Sequence, residues 1–305
     1  ADFLFHYRQT KSTGLHFGMS ALFARSFFSP IANLLLLKPL FQSEKIIIHS
    51  LASPFLLLYL FLFPHLARKS YWVIWGKDLY FYQLITKPRF YHKVYEFFRK
   101  AVIKRIPHIV TYIEGDYTLA QKLYQTPAKL HHCLLYPSNL YKDIPFKPKQ
   151  NNTKVLLIGN SADPSNNHQQ IFSSIEHYKD EDIKLMVPLS YGDPKYADEV
   201  IKAGKDIFGD KLVPLTHLLP LTEYLDLLQD VDIAIFAHKR QQAMGNIITL
   251  LGMGKKVYMR DDITSAQALR ASGISIHTLD KFNLDASSPE DVKNNQTAIK
   301  QEFSE

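Results

Sequence analysis

The chain has 305 residues, 46% hydrophobic and 21% charged, with Cys133 as its only cysteine, which excludes a disordered chain and an internal disulfide and suits a reducing compartment. At roughly 100–200 residues per domain, this length favours two domains. The net charge of +7 is unevenly spread: residues 1–150 carry 20 Lys and Arg against 7 Asp and Glu, and residues 151–305 carry 16 against 22, a split that points to an anionic partner, either nucleic acid or phospholipid headgroups.

The chain opens on a strand-like segment, DFLFHYR (2–8), with no basic-then-apolar leader before it, so a missing natural start and a missing first strand–helix unit are expected. A helix is predicted around 16–27, then a strand at KIIIHS (45–50), a helix over 54–68 and a strand at YWVIWG (71–76). A helix over 88–105, a strand at HIVTYIEG (108–115), a helix over 117–125 and a strand at HHCLLYP (131–137) follow. The apolar run from Ile46 to Phe63 has about the length of a bilayer span, but His49, Ser50, Ser53 and Pro54 interrupt it. A strand followed by a buried or membrane-skimming helix is the expected outcome.

The polar, proline-containing stretch SNLYKDIPFKPKQNNT (138–153) reads as a linker. The expected organisation is an N-terminal domain over 1–140, a linker over 141–153 and a C-terminal domain over 154–305. Beyond the linker, β-branched runs recur at 154–160, 182–189, 211–217, 232–237, 255–259 and 274–279, with amphipathic segments between them. Strand and helix in strict alternation predict βαβ units, and therefore parallel sheets in an α/β fold.

Four constellations carry candidate chemistry. Gly159-Asn160-Ser161-Ala162-Asp163-Pro164-Ser165-Asn166-Asn167-His168 follows the first strand of the second domain and precedes a helix, where open α/β sheets bind ligands. It is neither a dinucleotide fingerprint nor a Walker A loop, so its Asn, Ser and Asp side chains read as ligands for nucleotide or sugar hydroxyls, or else as turn formers and a helix cap. The stretch His238-Lys239-Arg240-Gln241-Gln242-Ala243-Met244-Gly245-Asn246 ends a strand and starts an apolar helix. An arginine beside a helix N-terminus can cradle a diphosphate; the plainer alternative is an exposed basic loop capped by Asn246.

In the first domain, Trp75-Gly76-Lys77-Asp78 lies where a strand ends, and Asp78 could act as a general base on an acceptor hydroxyl or cap the next helix. His49, Glu114 and Asp116 are weaker candidates at neighbouring strand ends. Finally, residues 87–108 carry seven Lys and Arg against Glu96 alone, interleaved with Phe90, Tyr91, Tyr95, Phe97 and Phe98. This reads as an interfacial membrane helix, or as core with a solvated charged face. No nucleic-acid motif accompanies it, so no nucleic-acid partner is expected, and no metal-ligand spacing occurs.

With these segments in view, WVIWGKDLY (72–80), IEGD (113–116), IGNSADPSNNH (158–168), VPLSY (187–191) and RQQAMG (240–245) together give the chain a resemblance. It resembles the TDP-N-acetylfucosamine:lipid II N-acetylfucosaminyltransferases, the 4-acetamido-4,6-dideoxygalactose transferases of enterobacterial common antigen synthesis, in glycosyltransferase family 56. The resemblance implies an α/β, GT-B-like fold of two Rossmann-like domains with parallel sheets facing a cleft. It also implies a TDP-sugar donor, a polyprenyl-diphosphate-linked acceptor, no cofactor and no catalytic metal, at the cytoplasmic face of the inner membrane. Carried onto this chain, it makes Asn160, Ser161, Asp163, Asn166, His168, Tyr191, Arg240, Gln241, Gln242, Gly245 and Asn246 donor-site candidates. His49, Trp75, Gly76 and Asp78 fall on the acceptor side, with Asp78 and Arg240 in catalytic roles. The alternatives are a transferase for another nucleotide sugar, a soluble epimerase or phosphorylase, and a membrane-associated sugar-nucleotide-binding protein without transferase activity.

Overall fold

Alternating buried and exposed residues, IIIH, start the first sheet: Ile46 and Ile48 of β1 (Ile46–His49) point into the core, and Ile47 and His49 point away. In the computed structural model, which describes residues 37–134, 139–144, 149 and 152–304, the chain divides into two compact units, residues 1–135 and 136–305. The segments expected at 2–8 and 16–27 lie outside the described residues.

In the first unit, β1 is followed by α1 (Pro54–Leu62), α2 (Pro64–Arg68), β2 (Ser70–Val73), α3 (Phe90–Ile103), β3 (His108–Val110), α4 (Glu114–Tyr124) and β4 (Lys129–His131). The strands form one parallel sheet in the order β1-β2-β3-β4. The apolar run breaks where its punctuation lies. Ser53 caps α1 by accepting from the Leu56 N–H, Pro54 occupies the first turn, and Pro64 opens a separate helix. Nine helical residues reach about 14 Å against a hydrocarbon core of about 30 Å, and no helix among the described residues is long and apolar enough to cross a membrane. Leu51, Leu57, Leu60, Leu66, Trp72 and Ile109 fill the core beneath the sheet.

Several boundaries differ from the sequence expectation: the helix expected over 54–68 divides at Pro64 into α1 and α2, and the strand expected over 71–76 is Ser70–Val73. IEGDY was read as a strand end, but the strand stops at Val110 and Glu114 and Asp116 stand in the first turn of α4, where acidic side chains complement the helix dipole. The last strand covers Lys129–His131, two residues earlier than expected, because Leu130 pairs with Ile109.

The second unit holds β5 (Lys154–Ile158), α5 (His168–Ile175), β6 (Ile183–Pro188), α6 (Pro194–Phe208), β7 (Leu212–Leu215), α7 (Leu221–Asp230) and β8 (Ile233–Phe236). It continues with α8 (Met244–Gly252), β9 (Lys256–Met259), α9 (Thr264–Ala271), β10 (His277–Thr278) and α10 (Pro289–Phe303). The six strands are parallel in the order β10-β9-β8-β5-β6-β7. Counted from β5, the order is that of a dinucleotide-type doubly wound sheet, which reverses direction between its first and fourth strands. Connections therefore leave β5 and β8 in opposite directions, and a crevice opens between their carboxyl ends.

The sequence pattern did not anticipate α10. Ser288 caps it by accepting from the Asp291 N–H, and Ile299 and Phe303 are buried along its inner face. Tyr141, within the stretch read as a linker, packs on this unit. Its N–H donates to the Phe303 carbonyl at 2.8 Å, and its hydroxyl donates to the Gly252 carbonyl at 3.2 Å. A Cβ on Gly252 would lie 2.1 Å from the Tyr141 ring.

Candidate functional site

Gly159 ends β5 at φ +67°, and a Cβ there would meet His168 Nε2 at 2.6 Å. Only glycine suits both constraints. The loop then wraps around Asn166, which is fully buried. Asn166 Oδ1 accepts the Asn160 N–H at 2.8 Å and lies 3.1 Å from His238 Nε2. Its Nδ2 donates to Ser161 Oγ at 3.1 Å and to the Asp163 carbonyl at 3.0 Å. Asp163 accepts from the N–H and the hydroxyl of Ser165 and so caps the short turn Pro164–Asn166.

Two imidazoles lie beneath this loop. His168 is fully buried with Nδ1 3.1 Å from the Tyr196 hydroxyl, and burial lowers its pKa to about 4. His238 is also fully buried, and burial, reinforced by the Arg240 charge, holds it well below the usual imidazole value. Both are neutral at pH 7. Ser161, Asn166 and His168, expected to contact ligand, are interior groups that set the loop's shape.

The β8 loop lies against the β5 loop. The Lys239 N–H donates to the Ser165 carbonyl at 2.9 Å. Arg240 Nε donates to Ser165 Oγ at 3.1 Å and Nη1 to the Gln241 carbonyl at 3.2 Å, while Nη2 is 3.8 Å from Asp163 Oδ2. Gln242, buried, has Oε1 3.3 Å from Ser165 Oγ and an Nε2 that finds no partner among the described residues. Ala243 precedes α8 at φ +59°, and no side chain caps this helix N-terminus. Gly245 and Asn246 are half-buried in its first turn.

A polar chain joins further elements. Asn246 Nδ2 donates to Asn160 Oδ1 at 2.7 Å and to the Tyr224 hydroxyl at 2.9 Å, and Asn160 Nδ2 donates to the Tyr191 hydroxyl at 2.5 Å. Gly192 lets the β6 loop clasp Ala162, whose N–H donates to the Tyr191 carbonyl at 2.8 Å. Half-exposed Asn160, Asp163, Arg240, Gln241, Gly245 and Asn246, with exposed Tyr191, thus converge at the β5/β8 switch beside an uncapped helix N-terminus. An uncapped helix N-terminus with amides at its rim has the chemistry to receive an anion and to bind hydroxyls. Tyr224 was not anticipated, since within the amphipathic helix LTEYLDLLQD no local signal separates it from packing residues.

In the first unit, Asp78 is 2% exposed. Its Oδ2 accepts the Leu51 N–H at 3.1 Å and Trp72 Nε1–H at 2.7 Å, and its Oδ1 accepts the Trp75 N–H at 3.0 Å. This carboxylate is enclosed and engaged by three donors, so the expected general base is a clamp on its own loop. Arg99, also fully buried, donates from Nη1 to the Leu51 carbonyl at 2.6 Å, from Nη2 to the Asp78 carbonyl and the Tyr124 hydroxyl, and from Nε to Glu96. Gly76 turns at φ +85°. Trp75 is 44% exposed, with its ring edge-on to exposed His49 at 5.9 Å between centroids. Burial lowers the His49 pKa from the usual imidazole value.

A family described as 4-alpha-L-fucosyltransferase, glycosyl transferase group 56, matches residues 38–301. Among solved structures, a glycosyltransferase from Rickettsia africae ESF-5 is similar at 14% identity and TM-score 0.57, over 91% of this chain and 78% of that one. The N-terminal domain of Candida albicans trehalose-6-phosphate phosphatase is similar at 12% identity and TM-score 0.57, over 88% and 69%. Sucrose-phosphate synthase from Thermosynechococcus elongatus is similar at 11% identity and TM-score 0.51, over 77% and 64%. At these identities the likeness concerns the fold, which is of the GT-B class with two Rossmann-like parallel sheets.

Proposed function

The chain belongs to the group 56 glycosyltransferases, and from that membership we propose a TDP-linked 4-acetamido-4,6-dideoxyhexose as donor and a polyprenyl-diphosphate-linked saccharide as acceptor. As a glycosyltransferase it takes a sugar from a nucleotide-sugar donor to an acceptor. The family's description as a fucosyltransferase agrees with a 6-deoxyhexose, of which the proposed sugar is a 4-acetamido derivative.

The observation that carries the donor reading is the uncapped α8 N-terminus beside Arg240 at the β5/β8 switch. Arg240 is held by Ser165 and faces Asp163 across 3.8 Å, a separation that a bound diphosphate would readily outcompete with bidentate contacts. As the bond between the anomeric carbon and the phosphate oxygen breaks, negative charge grows on the departing nucleotide diphosphate. The guanidinium and the free N–H groups of α8 stabilise that charge where it develops. Asn160, Tyr191 and Asn246 are suited to bind hydroxyls of the same ligand.

Support for a membrane-held acceptor comes from α3. Phe90, Tyr91, Val94 and Phe97 are exposed on it, beside exposed Lys87, Arg89, Lys93, Lys100 and Lys104, and α1 adds exposed Leu58 and Leu62. Aromatic side chains ringed by cations suit the surface of an anionic leaflet, in keeping with a peripheral enzyme at the cytoplasmic face of the inner membrane. The test of the donor is a thermal-shift screen of TDP-, UDP- and GDP-linked sugars. A ligand bound only to the native state raises its apparent stability. A shift with TDP-sugars above the others supports the reading, and no shift with any nucleotide sugar refutes it.

A further inference from the structure

We propose, resting on the transferase reading above, that His49 is the group that takes the proton from the acceptor hydroxyl, and that buried Asp78 and Arg99 hold it in position. At the carboxyl edge of the first sheet, Glu114 and His132 are exposed as well as His49, and what sets His49 apart is the fixed turn that follows it, while three other groups there are engaged. Asp78 is enclosed with its carboxylate engaged by three donors. Asp116 is 1% exposed and lies 3.3 Å from the Tyr80 hydroxyl. His131 is turned onto His108, with ring nitrogens 3.1 Å apart. His49 ends β1 with its ring exposed against the exposed edge of Trp75. Open α/β sheets present their ligands to this edge.

The backbone next to His49 is costly to maintain. Ser50 adopts φ +65°, a left-handed conformation unfavourable for a residue with a Cβ. Two buried charged side chains, distant in sequence, converge on the next residue. The Leu51 N–H donates to Asp78, and the Leu51 carbonyl accepts from Arg99. The Ser50 N–H donates to the Val73 carbonyl at 3.1 Å. Desolvating two charges to fix one strained turn is weak economy for stability alone. Strain that is over-determined in this way is characteristic of residues whose geometry serves a site. The turn held here, Ser50–Leu51, follows directly on His49 and so fixes the chain where that ring leaves β1; its lowered pKa leaves the ring neutral at pH 7, able to accept a proton.

The step balances. The acceptor O–H gives its proton to an imidazole nitrogen of His49 as its oxygen bonds to the anomeric carbon of the donor. The bond from that carbon to the diphosphate breaks, and its electron pair leaves on the nucleotide diphosphate. The imidazolium then releases the proton to water.

The test uses the full chain with TDP-4-acetamido-4,6-dideoxygalactose and a short-chain prenyl-diphosphate disaccharide, comparing wild type, His49→Ala and His49→Gln. The expected result is a fall in kcat of about a hundredfold or more for both variants, with an unchanged donor-induced thermal shift and partial recovery of His49→Ala activity on adding imidazole. His49→Ala with kcat near that of wild type overturns the assignment. Loss of kcat together with loss of the donor-induced shift, and no imidazole recovery in either variant, also overturns it, since that pattern marks a structural histidine. A wild type that neither shifts with nor transfers from any nucleotide sugar would instead refute the transferase reading on which the assignment rests.

Discussion

At Asn166 one enclosed amide receives two hydrogen bonds and gives two, so truncating it strands the Asn160 N–H and the His238 ring in the interior. Buried groups left unpaired cost roughly 1–3 kcal/mol each. Asn166→Ala should therefore lower the unfolding free energy by about 3 kcal/mol, read by denaturant unfolding, and a loss under about 1 kcal/mol would contradict this role. His168 adds a pH dependence of definite sign. Its folded pKa is about 4, below an unfolded value of about 6.5, so the folded state disfavours the proton. The contribution is complete above pH 6.5 and is lost as pH falls toward 4, up to about 3 kcal/mol in all. Denaturant unfolding at pH 7 and pH 5 should show the fall in wild type and a smaller one in His168→Gln. Equal slopes would contradict it. These residues also mark a limit of sequence reading. An Asn or His in a polar loop after a strand has the same composition whether it faces ligand or interior. Asp78 was misread for the same reason, since nothing in WGKD reveals the Leu51 and Trp72 donors that enclose it.

Among the elements, α3 carries interior and exposed cations that its sequence blends together. Arg99, one of the seven cations of residues 87–108, is interior and belongs to the Leu51 clamp, and Arg105, just past the helix, is half-buried with Nη1 on the Phe61 carbonyl at 3.0 Å. The cations left exposed to meet a lipid surface are Lys87, Arg89, Lys93, Lys100 and Lys104, the last three on α3 or directly after it. Changing these three to Glu should reduce sedimentation with anionic vesicles, most strongly at low salt, since each cation contributes about 1 kcal/mol near such a surface. Phe90→Ser with Phe97→Ser should remove the part that salt leaves intact. Equal binding of wild type and triple variant, or equal binding to neutral and anionic vesicles, would show that α3 is not the contact. Periodicity made helices near α1 and α3 legible beforehand, but not the break at Pro64 that separates α1 from α2. The helix α10 was not, because its sparse apolar positions, Ile299 and Phe303 among them, are spread through a polar segment that reads as a tail.

For the whole molecule, periodicity yields strands and helices in chain order but not their order in space. That β8 lies beside β5, Leu156 pairing with Ile233, 77 positions further along the chain, is a long-range pairing that no local window reports. Yet this pairing brings the Asn160 and Arg240 loops together and leaves the N-terminus of α8 beside them. The charge split and the family resemblance were readable from residues alone; the contacts that bring the two loops together were not. The central claim is that this junction holds the donor's diphosphate, and the most direct measurement is calorimetric titration of TDP into wild type, Arg240→Ala and Arg240→Lys. Loss of a charge-assisted bidentate contact should weaken Arg240→Ala by about a hundredfold, while Lys, a point charge, recovers only part. The account predicts that ranking with melting temperatures unchanged. Undiminished TDP affinity in a natively folded Arg240→Ala would contradict it.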